Sequence, residues 1–512
     1  TRRQDCERIE GRYQLNQPTQ PLERRGVGFA GWFTVLHLNR PGKISAWPIL
    51  WGLTVDDEKL MFPPDFIMKA HRYTLTQKAD FMKRTINRRD AMKMMAASTG
   101  ICLTGKTVSR AVDSPNEKLN VALIGIGGQG GSNLRGVSSQ NIVALCDVDE
   151  KRGAKGFGQF PKVAKFSDYR VMFDKMEKDI DAVVVSTPDH THFNPSMIAM
   201  SLGKHLYCEK PMAHNVWQVR KMTELAAKNN LATQLGVQRH TIGNVHRVVE
   251  LIRAGAIGKV TEVHSWVGGN RGMPSIPKDK QKVPAHLNWD VWLGPAPERD
   301  YNKAYCPYNW RFWWDFGTGE TGNWGCHTLD IPFWSLKLDY PTRVEGSGPE
   351  VHPQTTPKSM TTSFMYPAKG NRGDVTLHWY HTGSGPQVLK EKNLSLKGAN
   401  NVFVGTEGIL VCGFGTHKLY PEEKFSNFSA PEQSIPDSPG FHKEWIAACK
   451  GGKTATCNFD YSGPLTETVL LGNVAYRAGG GFQWDSKNLK AVGNDTAQQY
   501  IREAVRKGWE IS

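Results

Sequence analysis

The chain reads as an α/β protein, with a doubly wound parallel sheet followed by an α+β domain whose sheet is mostly antiparallel. Three observations predict this. Short apolar runs alternate with helical-period segments between residues 119 and 240, the pattern of strands buried on both faces and crossed over by helices. From Lys259 the segments become strand-like and rich in Trp, Thr and Val. The tail then returns to helical spacing at Phe441 to Lys450 and Pro464 to Arg477.

The elements follow in order. Leu119 to Ile124 is an apolar run ending in glycines, and Asn141 to Cys146 and Asp181 to Ser186 are two more. His205 to Cys208 and Leu231 to Val237 supply a fourth and a fifth strand. Between them Tyr169 to Lys178, His192 to Leu202 and Val216 to Lys228 carry the helical period. Val245, Val248, Val249 and Ile252 keep one helical face apolar until Gly255 ends that helix. Val260 to Val267, Val375 to Tyr380 and Asn401 to Val404 are the strands of the second domain. The organisation is therefore an irregular extension over 1–81, a signal-like region over 82–112, a first domain over 113–240 and a second over 241–512.

Composition narrows the function. The 512 residues suit two or three domains. Lys and Arg number 64 against 49 Asp and Glu, a formal charge of +15. That excess is spread along the chain without a helix-turn-helix, finger or RNA-binding signature, so no nucleic-acid partner is expected. Nine cysteines, none in C-x-x-C spacing, fit neither a disulfide scaffold nor a zinc ribbon, and no metal site is expected. No apolar stretch reaches the roughly 18 residues that span a bilayer, so membrane insertion is not expected.

Thr1 to Asp80 holds no sustained period. Beyond Met82 the chain shows a basic stretch with Arg88-Arg89, a charge-free run from Met94 to Gly105, and small residues around Ser109 to Ala111. That order resembles a twin-arginine (Tat) export signal and predicts a periplasmic or exported protein, cytoplasmic if the stretch is only a basic helix start.

Gly125-Ile126-Gly127-Gly128-Gln129-Gly130 is a G-x-G-x-x-G run after a strand and before a helix. Gly125 permits the tight turn, Gly127 the approach of a pyrophosphate, and Gly130 close helix–strand packing. A diphosphate would lie on the N–H groups at the helix start. Asp147, at the end of the next strand, is placed to accept from a ribose 2′-hydroxyl. This predicts a Rossmann domain and NAD, with Lys151 and Arg152 leaving NADP open.

Two later strand ends carry Thr187-Pro188-Asp189-His190-Thr191-His192 and Glu209-Lys210-Pro211. With Trp289 to Pro297 and Gln483-Trp484-Asp485, these segments resemble the glucose–fructose oxidoreductase / inositol dehydrogenase (Gfo/Idh/MocA) family from about Glu117 to the C-terminus. The resemblance implies an NAD(P)-dependent oxidoreductase acting on a sugar, polyol or sugar derivative. It also implies a large open C-terminal sheet that makes homo-oligomers. Thr187, Pro188, His192 and Glu209 are then expected beside the cofactor, and Lys210 beside the reacting hydroxyl.

Family members carry an Asp and a His four residues apart on a helix. Here His327 aligns with the histidine and Asn323 stands where many have aspartate. His327 is the expected general base, Lys210 stabilises developing alkoxide charge, and Asn323 positions the sugar without carrying charge. Tyr308, Trp310, Phe312, Trp313 and Trp314 either stack on the sugar, Trp313 foremost, or pack the core, and Arg311 is placed to bind an acidic substituent. Asp330 is a further substrate contact or a cap. Cys208 and Cys326 read as small buried hydrophobes. Export would separate the enzyme from free cytosolic cofactor, so NAD is expected to be tightly held and restored in place. The alternatives are an NAD-dependent glycoside hydrolase working by transient oxidation and elimination, and a sugar-binding homologue without activity.

Overall fold

The computed structural model describes residues 118–382 and 385–511, together with two strands nearer the N-terminus. Those strands, β1 (Ala30–Asn39) and β2 (Lys43–Gly52), pair antiparallel. They fall where the irregular sequence predicts no element. Their sequences, AGWFTVLHLN and KISAWPILWG, are nonetheless rich in β-branched and aromatic residues. The twin-arginine stretch, residues 82–112, lies outside the described residues. Residues 1–109 and 110–512 form separate compact units, and the second holds the two larger sheets.

That unit begins with the alternation read from the sequence: β3 (Asn120–Ile124), α1 (Gln129–Val137), β4 (Asn141–Cys146), α2 (Glu150–Gln159), β5 (Ala164–Phe166), α3 (Tyr169–Met176) and β6 (Ala182–Val185). It continues through α4 (Phe193–Ser201), β7 (His205–Cys208), α5 (Val216–Lys228) and β8 (Thr233–Leu235). The six strands are parallel in the order β5-β4-β3-β6-β7-β8. The order reverses between β3 and β6, where open α/β sheets bind ligands beyond their C-terminal ends. The three-residue β5 was not predicted, because three residues show no period.

Helix α6 (Gly243–Arg253) leads into β9 (Val260–Val267) and a nine-stranded sheet. The other strands are β10 (Arg343–Ser347), β11 (Met360–Tyr366), β12 (Val375–His381), β13 (Asn401–Gly405), β14 (Ile409–Cys412), β15 (His417–Tyr420), β16 (Phe482–Asp485) and β17 (Lys490–Val492). Every pairing is antiparallel except β12 with β9. In β12 the buried residues alternate: Val375, Leu377, Trp379 and His381 face the core, and Thr376, His378 and Tyr380 face the other way.

Against the core face of β10 and β11, and against α5, lies α9 (Phe459–Arg477), the longest helix described, preceded by α7 (Asp330–Leu336) and α8 (Phe441–Cys449). Proline 464 suggested a helix start, yet α9 begins five residues earlier. The Asn458 side chain caps it by accepting from the Asp460 and Tyr461 N–H groups, a contribution of about 1 kcal/mol. No helix among the described residues is long and apolar enough to cross a membrane.

Candidate active site

A cavity of about 530 Å³ opens between the β3–α1 loop, the ends of β4, β6 and β7, and loops of the second domain. Its size is that of a small-ligand pocket. One wall is made by backbone. Gly125 sits at φ +77°, and a Cβ there would lie 2.7 Å from the Ser186 carbonyl oxygen. A Cβ on Gly130 would lie 2.0 Å from the carbonyl oxygen of Gly125, so only glycine lets α1 pack this closely. Gly125 and Gly127 line the cavity, whereas Gly130 packs beneath it.

The Asp147 carboxylate accepts from the Ile126 N–H (2.9 Å) and the Asp149 N–H (3.0 Å), which fixes it beside the loop. Burial raises its pKa, and those N–H groups oppose the shift. Asp149 in turn caps α2, accepting from the Lys151 and Arg152 N–H groups. This turns Arg152 back over the loop, where its guanidinium nitrogens lie 3.4 and 3.0 Å from where Cβ atoms of Gly127 and Gly128 would be.

The two strand-end motifs are tied together. The His192 imidazole, 1% exposed, lies between the carbonyl oxygens of Pro211 (2.7 Å) and Thr187 (2.8 Å). It does not line the cavity, so the expected cofactor contact becomes a strut joining the Thr187 loop to the Lys210 loop. Thr187 and Pro188 do line it, and the buried Thr187 hydroxyl has no partner within the protein. Glu209 also lines it, with its carboxylate held by Asn133 Nδ2 (3.0 Å) and Gln238 Nε2 (2.7 Å).

Lys210 follows at the end of β7. Its Nζ donates to the backbone oxygen of Asn323 (2.9 Å) and to Asn323 Oδ1 (3.0 Å), so one ammonium N–H remains for a ligand. Burial lowers the Lys210 pKa, opposed by Glu209 and Asp189. Asn323 does not stand on a regular α-helix. Thr321–Gly325 is a π-helical turn running into a single α-turn at Cys326–Thr328, an irregularity common at functional sites. Asn323 and His327 still share the cavity.

His327 is 9% exposed, and its Nδ1 has no partner within the protein. Burial, then the charges of Lys210 and Arg239, hold its pKa well below 6.5. It is therefore neutral at neutral pH and able to accept a proton. Cys208 and Cys326 are fully buried, and burial pushes the Cys326 thiol up to about 12, which makes it inert.

The wall facing the glycine loop is cationic. Arg311 lies over the rings of Trp310 (4.2 Å) and Tyr308 (4.6 Å), and Arg239 over Phe414 (4.4 Å) and Trp324 (5.2 Å). Among the described residues neither arginine has a carboxylate within ion-pair distance. Arg271, from the loop after β9, is paired with Glu320.

Two expectations are corrected here. Trp313 is 0% exposed in a cluster with Tyr305 and Phe316, its N–H donating to the Ala304 carbonyl, while Trp310 and Tyr308 line the cavity instead. The Asp330 carboxylate, also buried away from the cavity, pairs with His240 Nδ1 (2.9 Å) and accepts from the Tyr461 hydroxyl (2.6 Å). Neither inversion is readable from spacing, because both depend on contacts distant in sequence.

Asp189 and Arg239 were not singled out. Asp189 accepts from the Thr318 N–H (3.1 Å) and hydroxyl (2.6 Å), tying the first domain to the segment before the π-turn. Arg239 sits in an R-H pair after β8 that carries no motif.

The glycine loop, the fixed Asp147 and the unpartnered Thr187 hydroxyl fit a dinucleotide: backbone for the diphosphate, a carboxylate for the ribose, a hydroxyl donor deeper in. The fold and site define a protein with a dinucleotide-binding Rossmann domain joined to an α+β domain. Residues 119–237 match the family model described as the oxidoreductase family's NAD-binding Rossmann fold. Residues 248–371 match the same family's C-terminal alpha/beta domain. These two domains belong to the Gfo/Idh/MocA oxidoreductase family.

Among curated relatives, an inositol 2-dehydrogenase of Salmonella typhimurium is 26% identical over 168 residues, 32% of this chain and 48% of that protein. A glycosyl hydrolase family 109 protein of Solibacter usitatus is 28% identical over 211 residues, 37% of this chain and 47% of its own. The chain spans a third to a half of the length of the first such relatives. The WlbA dehydrogenase of Bordetella pertussis, solved with NADH and UDP-GlcNAcA, shares the fold at a TM-score of 0.53 and 15% identity, covering 72% of this chain and 99% of that one.

Proposed function

We propose that the chain oxidises a hydroxyl of a sugar, polyol or sugar derivative with NAD held in this cleft. The observation that carries the reading is the convergence of Lys210, Asn323 and His327 in the cavity that the glycine loop also lines. NAD, when bound, supplies a two-electron acceptor beside the reacting carbon. Neutral His327 takes the hydroxyl proton, and the free N–H of Lys210 binds the oxygen as charge develops on it. Asn323 holds Lys210 in place with Oδ1. Being uncharged, it leaves the lysine without the ion pair an aspartate would supply.

Arg239 and Arg311, both without carboxylate partners, favour a sugar bearing an anionic group. Trp310 and Tyr308 offer ring faces to its C–H face. Arg152 above the loop keeps NADP within reach, while Asp147 opposes a 2′-phosphate. Export through the twin-arginine stretch and assembly through the nine-stranded sheet complete the reading. N-terminal sequencing of native protein tests the first, and light scattering the second.

A redox-neutral glycoside hydrolysis is the second reading, favoured by the Solibacter relative. The deciding experiment follows the near-ultraviolet nicotinamide band of purified protein against a panel of neutral and acidic sugars. A band that grows with one sugar supports oxidation. Turnover without net change of the band selects hydrolysis. A protein that neither retains nor binds NAD or NADP overturns both.

A further inference from the structure

On the sheet face opposite Val263 and Leu377, three potential ligands meet away from the cleft. Glu262 and His264 stand two residues apart on β9, and the β9–β12 register sets His378 directly across from His264. The imidazoles are nearly parallel, with ring centres 5.0 Å apart. Both turn Nε2 toward one carboxylate oxygen: His378 Nε2 lies 2.9 Å from Glu262 Oε1 and His264 Nε2 lies 3.3 Å from it. The three ligand atoms all fall within 4.8 Å of one another. A tetrahedral ion with bonds of about 2.0–2.1 Å holds its ligand atoms about 3.3 Å apart, close to the 3.3 and 2.9 Å that separate the two Nε2 atoms from Glu262 Oε1.

Two further observations favour a cation over a closed hydrogen-bond network. First, each Nδ1 is already fixed by a hydroxyl, Tyr380 Oη at 2.9 Å from His264 and Ser363 Oγ at 2.8 Å from His378. Outer partners of this kind orient metal-binding imidazoles and leave Nε2 for the ion. Second, the His264 side chain is 8% exposed and its Nε2 has no hydrogen-bond partner. Glu262, 41% exposed, leaves the site open on the solvent side.

We propose that Glu262, His264 and His378 bind a divalent first-row transition ion, zinc foremost, with water in the remaining position. Two imidazoles and one carboxylate suit such an ion and not calcium or magnesium, which prefer all-oxygen shells. The ion pins β9 to β12, the one parallel pair of the sheet. None of the three residues lines the cleft.

The test uses the full chain, dialysed against chelator and titrated with Co(II) as a spectroscopic probe and with Zn(II) by calorimetry. One equivalent of saturable binding, with the visible bands of low-symmetry Co(II) and competition by zinc, is expected. Glu262→Gln and His378→Asn should abolish the bands, and Ser363→Ala should weaken binding roughly tenfold. All three should keep the metal-free melting temperature and NAD binding of the parent. Absence of saturable binding to the parent chain overturns the proposal, whatever becomes of the variants. Binding that survives unchanged in both Glu262→Gln and His378→Asn overturns it as well.

Discussion

The two walls of the cleft are built by different means. The Rossmann wall is backbone: glycines, N–H groups and one carboxylate fixed by its own loop, all within about 30 residues of chain. The facing side of the cleft is side chain, with Lys210 and Arg239 from the first domain and Arg311, Asn323 and His327 from the second, brought together from segments up to 117 residues apart. A backbone wall recognises what every dinucleotide has in common. A side-chain wall can be rewritten residue by residue, which lets one scaffold serve many substrates.

The largest effect should come from the side-chain wall. Lys210→Met is expected to lower kcat/KM by roughly 10²–10⁴-fold, while NAD affinity, read by fluorescence quenching, stays near that of the parent. Equal losses in both would mean that the two walls are not separable. Trp313→Ala should cost about 3–5 kcal/mol in denaturant unfolding because it empties a packed core site. Trp310→Ala, in the same cluster but also lining the cavity, should raise KM as well as lower the unfolding midpoint, whereas Trp313→Ala should leave KM near that of the parent. The opposite pattern would return Trp313 to the substrate.

On the backbone wall, Asp147→Asn should shift the NADP-to-NAD affinity ratio upward about tenfold, since it removes the repelling charge and keeps Arg152. Calorimetric titration with both dinucleotides checks this. The smallest effect concerns pH. The proposed base works neutral, so kcat/KM should fall only as pH drops through the His327 pKa. That pKa is held well below 6.5 by burial, Lys210 and Arg239. The rate should therefore stay level down through pH 6.5. Arg239→Met removes one cation, makes imidazolium less costly and should move the acid limb upward. An acid limb already at ordinary imidazole pH in the parent would count against His327 as the base.

The same contrast explains what could be read from sequence. The strand–helix alternation, the glycine loop, Asp147 and the strand-end motifs are local, each carried by a few adjacent residues, and the structure has them within a residue or two. The resemblance also names Lys210, Asn323 and His327, and the structure brings the three into one cavity. Spacing alone would have put Asn323 on a regular helix and missed the π-turn. Trp313 and Trp310 are the same residue type three positions apart and pack in one cluster with Tyr305 and Phe316, and only the fold decides which of them also reaches the cavity. His192 was read as a ligand contact, because nothing local reveals two carbonyls 19 and 5 residues away. The β1–β2 pair went unread because residues 1–80 show no clear alternation.

The bonds from Asp189 to Thr318 and from Lys210 to Asn323 cross the domain boundary at the floor of the cleft. Bonds to charged groups are worth about 1.5–3 kcal/mol each. Swinging the domains apart would break both together, at a combined cost of about 3–6 kcal/mol. A cleft tied at its floor is open to ligands at its rim, where Arg271 and Tyr308 line it. Whatever occupies the deep end of such a cleft leaves last, and its departure sets the residence time of everything above it.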